Sequence, residues 1–224
     1  MLENLLLQYE TPKLFYDKYP YKLVIRNSLA IIFREKNFNF AKEVLDDLQH
    51  QFEKGEPLIR KSVYRQFSID NNEFFECQRL YKEFRSTSHS YRIRVENPKI
   101  QIYSDNKNWL IGLAEKCTDP REFWAPTVNE LIPNTILVDK PVTHEYKVTL
   151  SDRKVDPGFI IWIEKNPDKI KIGNTCKNAI QNNMYCTNYY FYIRDERVLN
   201  LVKLIIGASI RRIDRMICKQ DIDK

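Results

Sequence analysis

The sequence predicts an α+β protein with one or two ferredoxin-like (split βαβ) units, mainly antiparallel sheet and a long C-terminal helix. Three observations support this class. Short segments alternate apolar side chains with cationic or tyrosine side chains, amphipathic helical segments separate them, and the first half runs β-α-β-α-β-β-α. Because helices in that order pack on one face of the sheet, the other face is expected to be left uncovered.

Four strand-like segments, at residues 21–26, 91–95, 146–150 and 189–194, alternate apolar residues with arginine, lysine or tyrosine. Successive side chains of a strand point to opposite faces, so each segment is predicted to be half-buried with a cationic or aromatic outer face. The outward residues are Lys22, Arg26, Arg92, Arg94, Lys147, Tyr190, Tyr192 and Arg194.

The rest of the first half consists of helices and short strands. The predicted elements are a helix over 39–55, a strand over 63–69, a helix over 71–84, a hairpin of 91–95 with 100–103, and a helix after 105. Asn39, Asn71 or Asn72, and Asp105 are residue types that cap helix N-termini, and Gly55 suits a helix C-terminus.

Residues 118–143 contain four prolines and are predicted to form a short helix and a connecting arm. The chain is therefore predicted to comprise a ferredoxin-like α+β unit at 1–117, this Pro-containing arm at 118–143, and a second, smaller α+β unit with the C-terminal helix at 144–224.

The second half is predicted to contain strands at 146–150, 159–163 and 169–172, a short helix over 174–182, the strand at 189–194 and a long helix from Asp195. That helix would bury Val202, Ile206, Ile210, Ile213 and Ile217, and would present Arg211, Arg212, Arg215 and Lys219. Similar strands, Tyr-Lys-Leu-Val-Ile and Tyr-Lys-Val-Thr-Leu, open the two halves. They indicate either a tandem of related units or chance recurrence in a chain rich in Tyr and Lys.

Composition and charge narrow the function class only partly. The 224 residues include 36 Lys and Arg against 30 Asp and Glu, a net charge of +6, which permits a nucleic-acid partner without requiring one. The frequent Asn, Lys, Ile and Tyr suggest an AT-rich genome, so a phage or virus source is one interpretation.

Cysteine usage and hydropathy indicate the compartment. Five irregularly spaced cysteines, none in a CxxC pair, predict unpaired thiols in a reducing environment. The N-terminus lacks the pattern of a signal peptide, and no apolar run reaches the ~20 residues that span a bilayer. We therefore expect a soluble, cytoplasmic protein, in the interior of the host cell if the source is viral.

An aromatic and cationic sheet face suits stacking on bases and holding phosphates, and a row of cations on a helix can follow a phosphate backbone. The sequence therefore predicts a non-catalytic nucleic-acid-binding protein that binds single-stranded RNA or DNA, with no cofactor. The candidate nucleic-acid-binding residues are Arg92, Arg94, Lys147, Tyr190, Tyr192, Arg194, Arg211, Arg212, Arg215 and Lys219.

Two alternatives remain open. The tyrosine-rich face could serve protein–protein contacts in a homo-oligomer or other assembly, viral or otherwise. A metal-dependent nuclease or primase-like enzyme is the third: Thr87-Ser88-His89 before a strand is similar to the small-x-His element of primase-like folds, although no Asp-x-Asp pair precedes it. No catalytic residue and no metal ligand is predicted.

Overall fold

The computed structural model describes residues 6–61 and 66–221. The chain divides into two compact units, an N-terminal unit over residues 1–130 and a C-terminal unit over residues 131–224. Each unit contains a five-stranded sheet and several helices. The α+β class with largely antiparallel sheets is confirmed.

The N-terminal unit is built on one sheet and a separate small hairpin. Its strands are β1 (Leu7–Thr11), β2 (Tyr21–Arg26), the hairpin of β3 (Ile59–Lys61) and β4 (Gln66–Ser68), β5 (Tyr91–Glu96), β6 (Lys99–Ser104) and β7 (Pro120–Pro126). The sheet order is β1-β7-β2-β6-β5, in which β1 is parallel to β7 and the other neighbours are antiparallel.

The helices of this unit are a 3-10 segment at Ala30–Lys36, α1 (Phe38–Glu53), α2 (Asn71–Ser86) and α3 (Lys107–Glu115). The N-termini of the three α-helices are capped by Asn37, Asp70 and Asn106, whose side chains accept a backbone N–H bond at 2.8–3.1 Å. All these helices contribute to one core with a single face of the sheet. The core includes Leu23, Ile25, Phe33, Leu48, Phe74, Leu80, Ile100, Ile102, Leu110 and Phe123.

The C-terminal unit has strands β8 (Thr135–Val138), β9 (Tyr146–Leu150), β10 (Ile170–Ile172), β11 (Tyr190–Ile193) and β12 (Ile210–Cys218). The order is β10-β11-β9-β12-β8, with β12 and β8 parallel and the other neighbours antiparallel. The helices are α4 (Gly158–Glu164), α5 (Asn174–Gln181) and α6 (Glu196–Ile206). They share a core with Val148, Leu150, Phe191 and Ile193.

The two sheets follow the same pairing pattern. When the strands are counted in chain order within each five-stranded sheet, the first lies parallel to the fifth, the fifth is antiparallel to the second, the second to the fourth, and the fourth to the third. The similar sequences Tyr-Lys-Leu-Val-Ile and Tyr-Lys-Val-Thr-Leu therefore form the second strand of each sheet, β2 and β9, which occupy equivalent positions.

The predicted long C-terminal helix is wrong. The helix ends at Ile206, a 3-10 turn follows at Gly207–Ser209, and the next nine residues form β12 between β9 and β8. A bulge between Ile210 and Arg212 shifts the strand alternation by one residue, so that Ile210 and Ile213 both pack on the core. Their spacing of three residues imitates a helical stripe.

The strand predicted over residues 159–163 is also wrong, because α4 occupies it. Phe159, Ile160 and Ile163 are buried while Ile161 is exposed, a helical distribution that an uninterrupted apolar run conceals. Asp156 accepts a hydrogen bond from the Gly158 N–H at 2.6 Å where the helix begins.

The interval 118–143 does not begin with the predicted helix. It contains strand β7, which belongs to the sheet of the N-terminal unit, and strand β8, which belongs to that of the C-terminal unit. Of the strand predicted over 63–69, residues 63–65 lie outside the described residues and Gln66–Ser68 forms β4. Among the described residues, no helix combines the length and apolar character needed to cross a bilayer.

Candidate nucleic-acid interface

The sheet of the C-terminal unit presents tyrosines and lysines on the face opposite its helices, here called the outer face. In the strand register, Tyr192 of β11 lies between Lys171 of β10 and Lys147 of β9, and Lys147 is paired in turn with Asp214 of β12. Four strands thus supply one continuous row of side chains. The neighbouring row contains Tyr190, Thr149 and Arg212.

Tyr190 is the most open aromatic ring of this face, with 46% of its surface exposed. The Lys147 Nζ lies 4.0 Å from its ring centroid, a cation–π distance, and the ring of Tyr192 meets it edge-on at 5.6 Å. Burial raises the pKa of the Tyr192 phenol, and the neighbouring Tyr190 adds to that rise. The Tyr192 phenol is therefore neutral near pH 7 and can approach an anionic strand without charge repulsion.

The cations of β12 are largely engaged within the protein. The Arg212 guanidinium forms an ion pair of 2.5 Å with Asp214, which is buried to 2% exposure. Arg211 donates to the Asn188 side-chain oxygen at 2.6 Å. Arg215 lies three residues from Arg212 and therefore projects from the opposite face of the strand.

Two further predicted residues of the C-terminal unit form ion pairs with nearby carboxylates. Arg194, just beyond β11, binds Asp168 at 2.9 Å and Asp195 at 3.2 Å, while Lys219 binds Asp139 at 2.8 Å. Of the ten predicted residues, the structure brings Lys147, Tyr190, Tyr192 and Arg212 together on the outer face.

Arg92 and Arg94 belong to β5 of the N-terminal unit and are exposed there on the sheet face opposite the helices. The segment between β1 and β2 contributes Tyr16 to this face. The Arg92 guanidinium lies 4.0 Å from the Tyr16 ring centroid, and Arg94 is paired with Glu96 at 2.5 Å. Both arginines therefore already have partners.

The centre of that same face is covered by aromatic side chains. Phe15 and Tyr16 lie 5.3 and 4.9 Å from the ring of Tyr103, which is only 4% exposed. Burial raises the pKa of Tyr103 above its usual range. The Lys22 Nζ lies 3.9 Å from the centroid of the Trp124 ring, and burial lowers the pKa of Lys22. Sequence analysis missed this covering segment, although its aromatic residues immediately precede β2.

Two cavities adjoin the outer face of the C-terminal unit and share Lys171 and Tyr192. The first, of about 460 Å³, is lined by apolar and neutral groups that include Ile172, Tyr189 and Tyr190. The second, of about 300 Å³, is lined by side chains that include Lys140, Thr143, His144 and Met216. Lys171 and His144 were not predicted as site residues. The alternation of the predicted strand at 169–172 was the signal that could have identified Lys171.

The residues that an enzyme would need, namely metal ligands, a histidine or a reactive thiol, are arranged as follows. Among residues 6–61 and 66–221, no group of three or more His, Cys, Asp or Glu side chains is arranged to hold a metal ion. His89 lies at the surface, with Asn106 Nδ2 3.3 Å from its Nδ1 and the ring of Trp109 5.7 Å away. The cysteines are unpaired thiols, and burial raises the pKa of Cys176 to about 12.

No protein-family model matches this chain, and no curated protein and no solved structure resembles it at a significant level.

Proposed function

We propose that this protein binds single-stranded RNA or DNA without chemistry, on the outer face of its C-terminal unit. The observation that carries the proposal is the contact of Lys147 with Tyr190 beside Tyr192, in a register that places Lys171 on the other side of Tyr192. Cationic and aromatic side chains alternate there over three adjacent strands.

Stacking supplies the sequence-tolerant part of the affinity. An exposed aromatic ring that carries a stacked base contributes about 1–3 kcal/mol per base. Tyr190 has the exposed area for such a contact, and the ammonium of Lys147 at its ring holds it in place. Any base offers a π-face, so this surface does not depend on one sequence.

Contacts between cationic side chains and phosphates supply the salt-dependent part of the affinity. Within the described residues, the ammonium groups of Lys171 and Lys140 form no ion pair or hydrogen bond. They can bind phosphates without breaking a protein contact, whereas Arg194, Arg212 and Lys219 must first weaken an existing ion pair. We accordingly assign the lysines the larger share of the electrostatic affinity.

We also propose that each unit is a ferredoxin-like unit with one added edge strand. The last four strands of each five-stranded sheet follow the order fourth-first-third-second, all antiparallel, with helices in the connections between the first and second and between the third and fourth. β1 and β8 are the additions, each parallel to the last strand of its unit. Such a sheet leaves one face without helices, which Phe15 and Tyr16 cover at its centre in the N-terminal unit and which is the outer face in the C-terminal unit.

The decisive experiment is a titration of fluorescein-labelled single-stranded DNA and RNA 12-mers with the whole protein at low and high salt. We expect binding at low salt that weakens steeply as salt rises, because bound cations are released from the strand. Absence of binding to both polymers at low salt would exclude the nucleic-acid function.

Protein–protein assembly remains a second candidate because of one specific observation on α6. Leu201, Leu204 and Ile205 are exposed at helical spacing, and Leu204 is 84% exposed. This apolar stripe lies on the helical side of the C-terminal unit rather than among its tyrosines. Light scattering over a range of protein concentrations tests it, with Leu204→Glu expected to abolish any self-association and Lys203→Glu as the control on the same helix.

A further inference from the structure

We propose that the cavity lined by Lys140, Thr143, His144, Lys171 and Tyr192, here called the basic cavity, is a binding site for a phosphodiester group. This inference rests on the proposed function, which it deepens by assigning one phosphate of the strand to one place in the C-terminal unit. The remaining lining is largely apolar, and among the described residues no carboxylate contributes to it.

The polar lining of the basic cavity favours an anion. Lys140 and Lys171 carry ammonium groups, Thr143 and Tyr192 carry hydroxyl donors, and His144 carries an imidazole. Neither ammonium group has an ion-pair partner within the described residues. A volume of about 300 Å³ accommodates a phosphate group together with part of its sugar.

His144 has unused hydrogen-bonding capacity beside this cavity. Its Nδ1 lies 3.1 Å from the Thr143 Oγ1, while its Nε2 is buried and has no hydrogen-bond partner in the described structure. A polar atom left in that state is costly, and a rotation of the ring can direct a nitrogen toward a bound oxygen. A phosphate oxygen would complete the hydrogen bonding of the imidazole.

The second cavity places a base next to this phosphate. It shares Lys171 and Tyr192 with the basic cavity but is mainly apolar, and Tyr190 lies on its wall. A nucleotide bound across Lys171 and Tyr192 would therefore have its phosphate among cations and its base against tyrosine. The two cavities together match the two chemical halves of one nucleotide.

The charges around His144 make this site sensitive to pH. Burial first, then the cations Lys171 of β10 and Arg194 at the end of β11, lower the pKa of His144. The carboxylates in the surrounding segments are Glu145, which is exposed, and Asp139, Asp168, Asp195 and Asp214, which are paired with Lys219, Arg194 or Arg212. An anion placed between the cations and the imidazole removes the repulsion and favours the protonated ring.

The direction of the pH dependence follows from the linkage between phosphate binding and protonation of His144. Because bound phosphate raises the pKa of His144, affinity increases as pH falls through the interval between the bound and the free pKa values. A rise of one pKa unit on binding corresponds to about a tenfold gain in affinity at the acidic end. A phosphodiester does not titrate in this range, so an oligonucleotide without terminal phosphates reports the protein group alone.

The test measures binding of such a 12-mer at about pH 5.5 and about pH 7.5, where histidine changes charge. We expect the wild-type protein to bind several-fold more tightly at the lower pH, His144→Gln to lose most of that gain, and Lys171→Met to weaken binding at both pH values. His50→Gln, an exposed histidine on α1, is the matched control and should keep the wild-type gain.

The outcomes separate the two proposals. If the oligonucleotide binds and both His144→Gln and Lys171→Met retain wild-type affinity and pH dependence, the basic cavity is excluded while the proposed function stands. If no oligonucleotide binds but inorganic phosphate shifts the NMR titration of His144 and not of His50, the cavity stands as an anion site and the nucleic-acid function is overturned.

Discussion

The Lys147 ammonium packs on the Tyr190 ring at 4.0 Å although the two residues are not directly paired in the sheet. Tyr190 is paired with Thr149, and Lys147 with Tyr192, so the cation–π contact is a diagonal one between neighbouring antiparallel strands. This diagonal contact places the Lys147 ammonium on the ring of Tyr190, while Lys147 is paired in the sheet with Tyr192. We regard this cluster as the centre of the proposed nucleic-acid surface.

Replacement of the two tyrosines tests stacking directly. We expect Tyr190→Phe and Tyr192→Phe to bind single strands nearly as well as the wild type, because each keeps its ring. Tyr190→Ala and Tyr192→Ala should each lose on the order of 1–3 kcal/mol of binding free energy. Fluorescence anisotropy at fixed salt measures the loss, and thermal unfolding shows whether the fold is intact.

Tyr185 provides the matched control for this prediction. It is also an exposed tyrosine with a lysine near its ring, Lys154 at 5.4 Å, but it lies outside the five-stranded sheet. Tyr185→Ala should therefore bind normally. A loss of affinity for Tyr185→Ala equal to that for Tyr190→Ala would contradict a specific role of the outer face.

The half-buried strands were predictable because their alternation is local. In 91–95 and 146–150 each apolar residue is followed by a polar one, and β5 and β9 occupy these positions. Strand β2 also lies where it was predicted, but its run Leu23-Val24-Ile25 is buried on both faces rather than half-buried. Strand β12 was not predictable in this way. Because of its bulge, Ile210 and Ile213 face the core although they are three residues apart, which is also the spacing of a helical stripe. The strand is determined by pairing with β9 and β8, which are distant in the chain.

The candidate site was predictable to a similar extent. Alternation alone assigned Tyr190, Tyr192 and Lys147 to one kind of face, and their outward positions follow from the pairing of β9 with β11. It could not indicate that Asp214 lies buried beside Arg212 or that Tyr16 packs on Arg92. Both contacts join residues whose pairing depends on strand register or on a loop that returns over the sheet.

The arginines of the N-terminal unit should contribute modestly to binding. Arg92→Ala with Arg94→Ala is expected to reduce the slope of log affinity against log salt by at most about two, since each residue contacts at most one phosphate and already has a protein partner. Titrations at four salt concentrations give this slope.

The control carries the same change of charge on α2, through Lys82→Ala with Arg85→Ala. Both side chains are exposed on a helix that packs against the opposite face of the sheet. An unchanged slope in the Arg92 and Arg94 double variant would agree with binding by the C-terminal unit alone, whereas a reduction of more than about two would contradict the assignment of the surface to that unit.

Arg212 should affect stability as well as binding. Its ion pair helps to neutralise Asp214, which is almost fully buried, so Arg212→Ala removes this ion pair from a buried carboxylate. We expect the free energy of unfolding to fall by about 1–3 kcal/mol, as measured by urea denaturation. Arg211→Ala, the exposed neighbour, should unfold at the wild-type midpoint.

A double variant distinguishes a buried charge from a general loss of packing. Arg212→Met combined with Asp214→Leu removes both charges and should recover much of the stability lost in Arg212→Ala. If Arg212→Ala alone is as stable as the wild type, the stability of the fold does not depend on this ion pair.

In the absence of ligand, His144 should make the protein less stable in acid. The folded state lowers its pKa, so as pH falls through about 6.5, the ordinary value, the unfolded chain takes up the proton first. The free energy of unfolding contributed by this residue is thus retained above that value and lost below it. Urea denaturation at about pH 7.5 and about pH 5.5 should show a smaller loss of unfolding free energy in acid for His144→Gln than for the wild type or His50→Gln.

Added oligonucleotide should narrow this difference between His144→Gln and the wild type, because a bound phosphate favours the charged imidazole that the empty cavity disfavours. Equal acid losses in His144→Gln and the wild type would show that burial and the charges of Lys171 and Arg194 do not lower the pKa of this imidazole, and would contradict the expected pH dependence of the basic cavity.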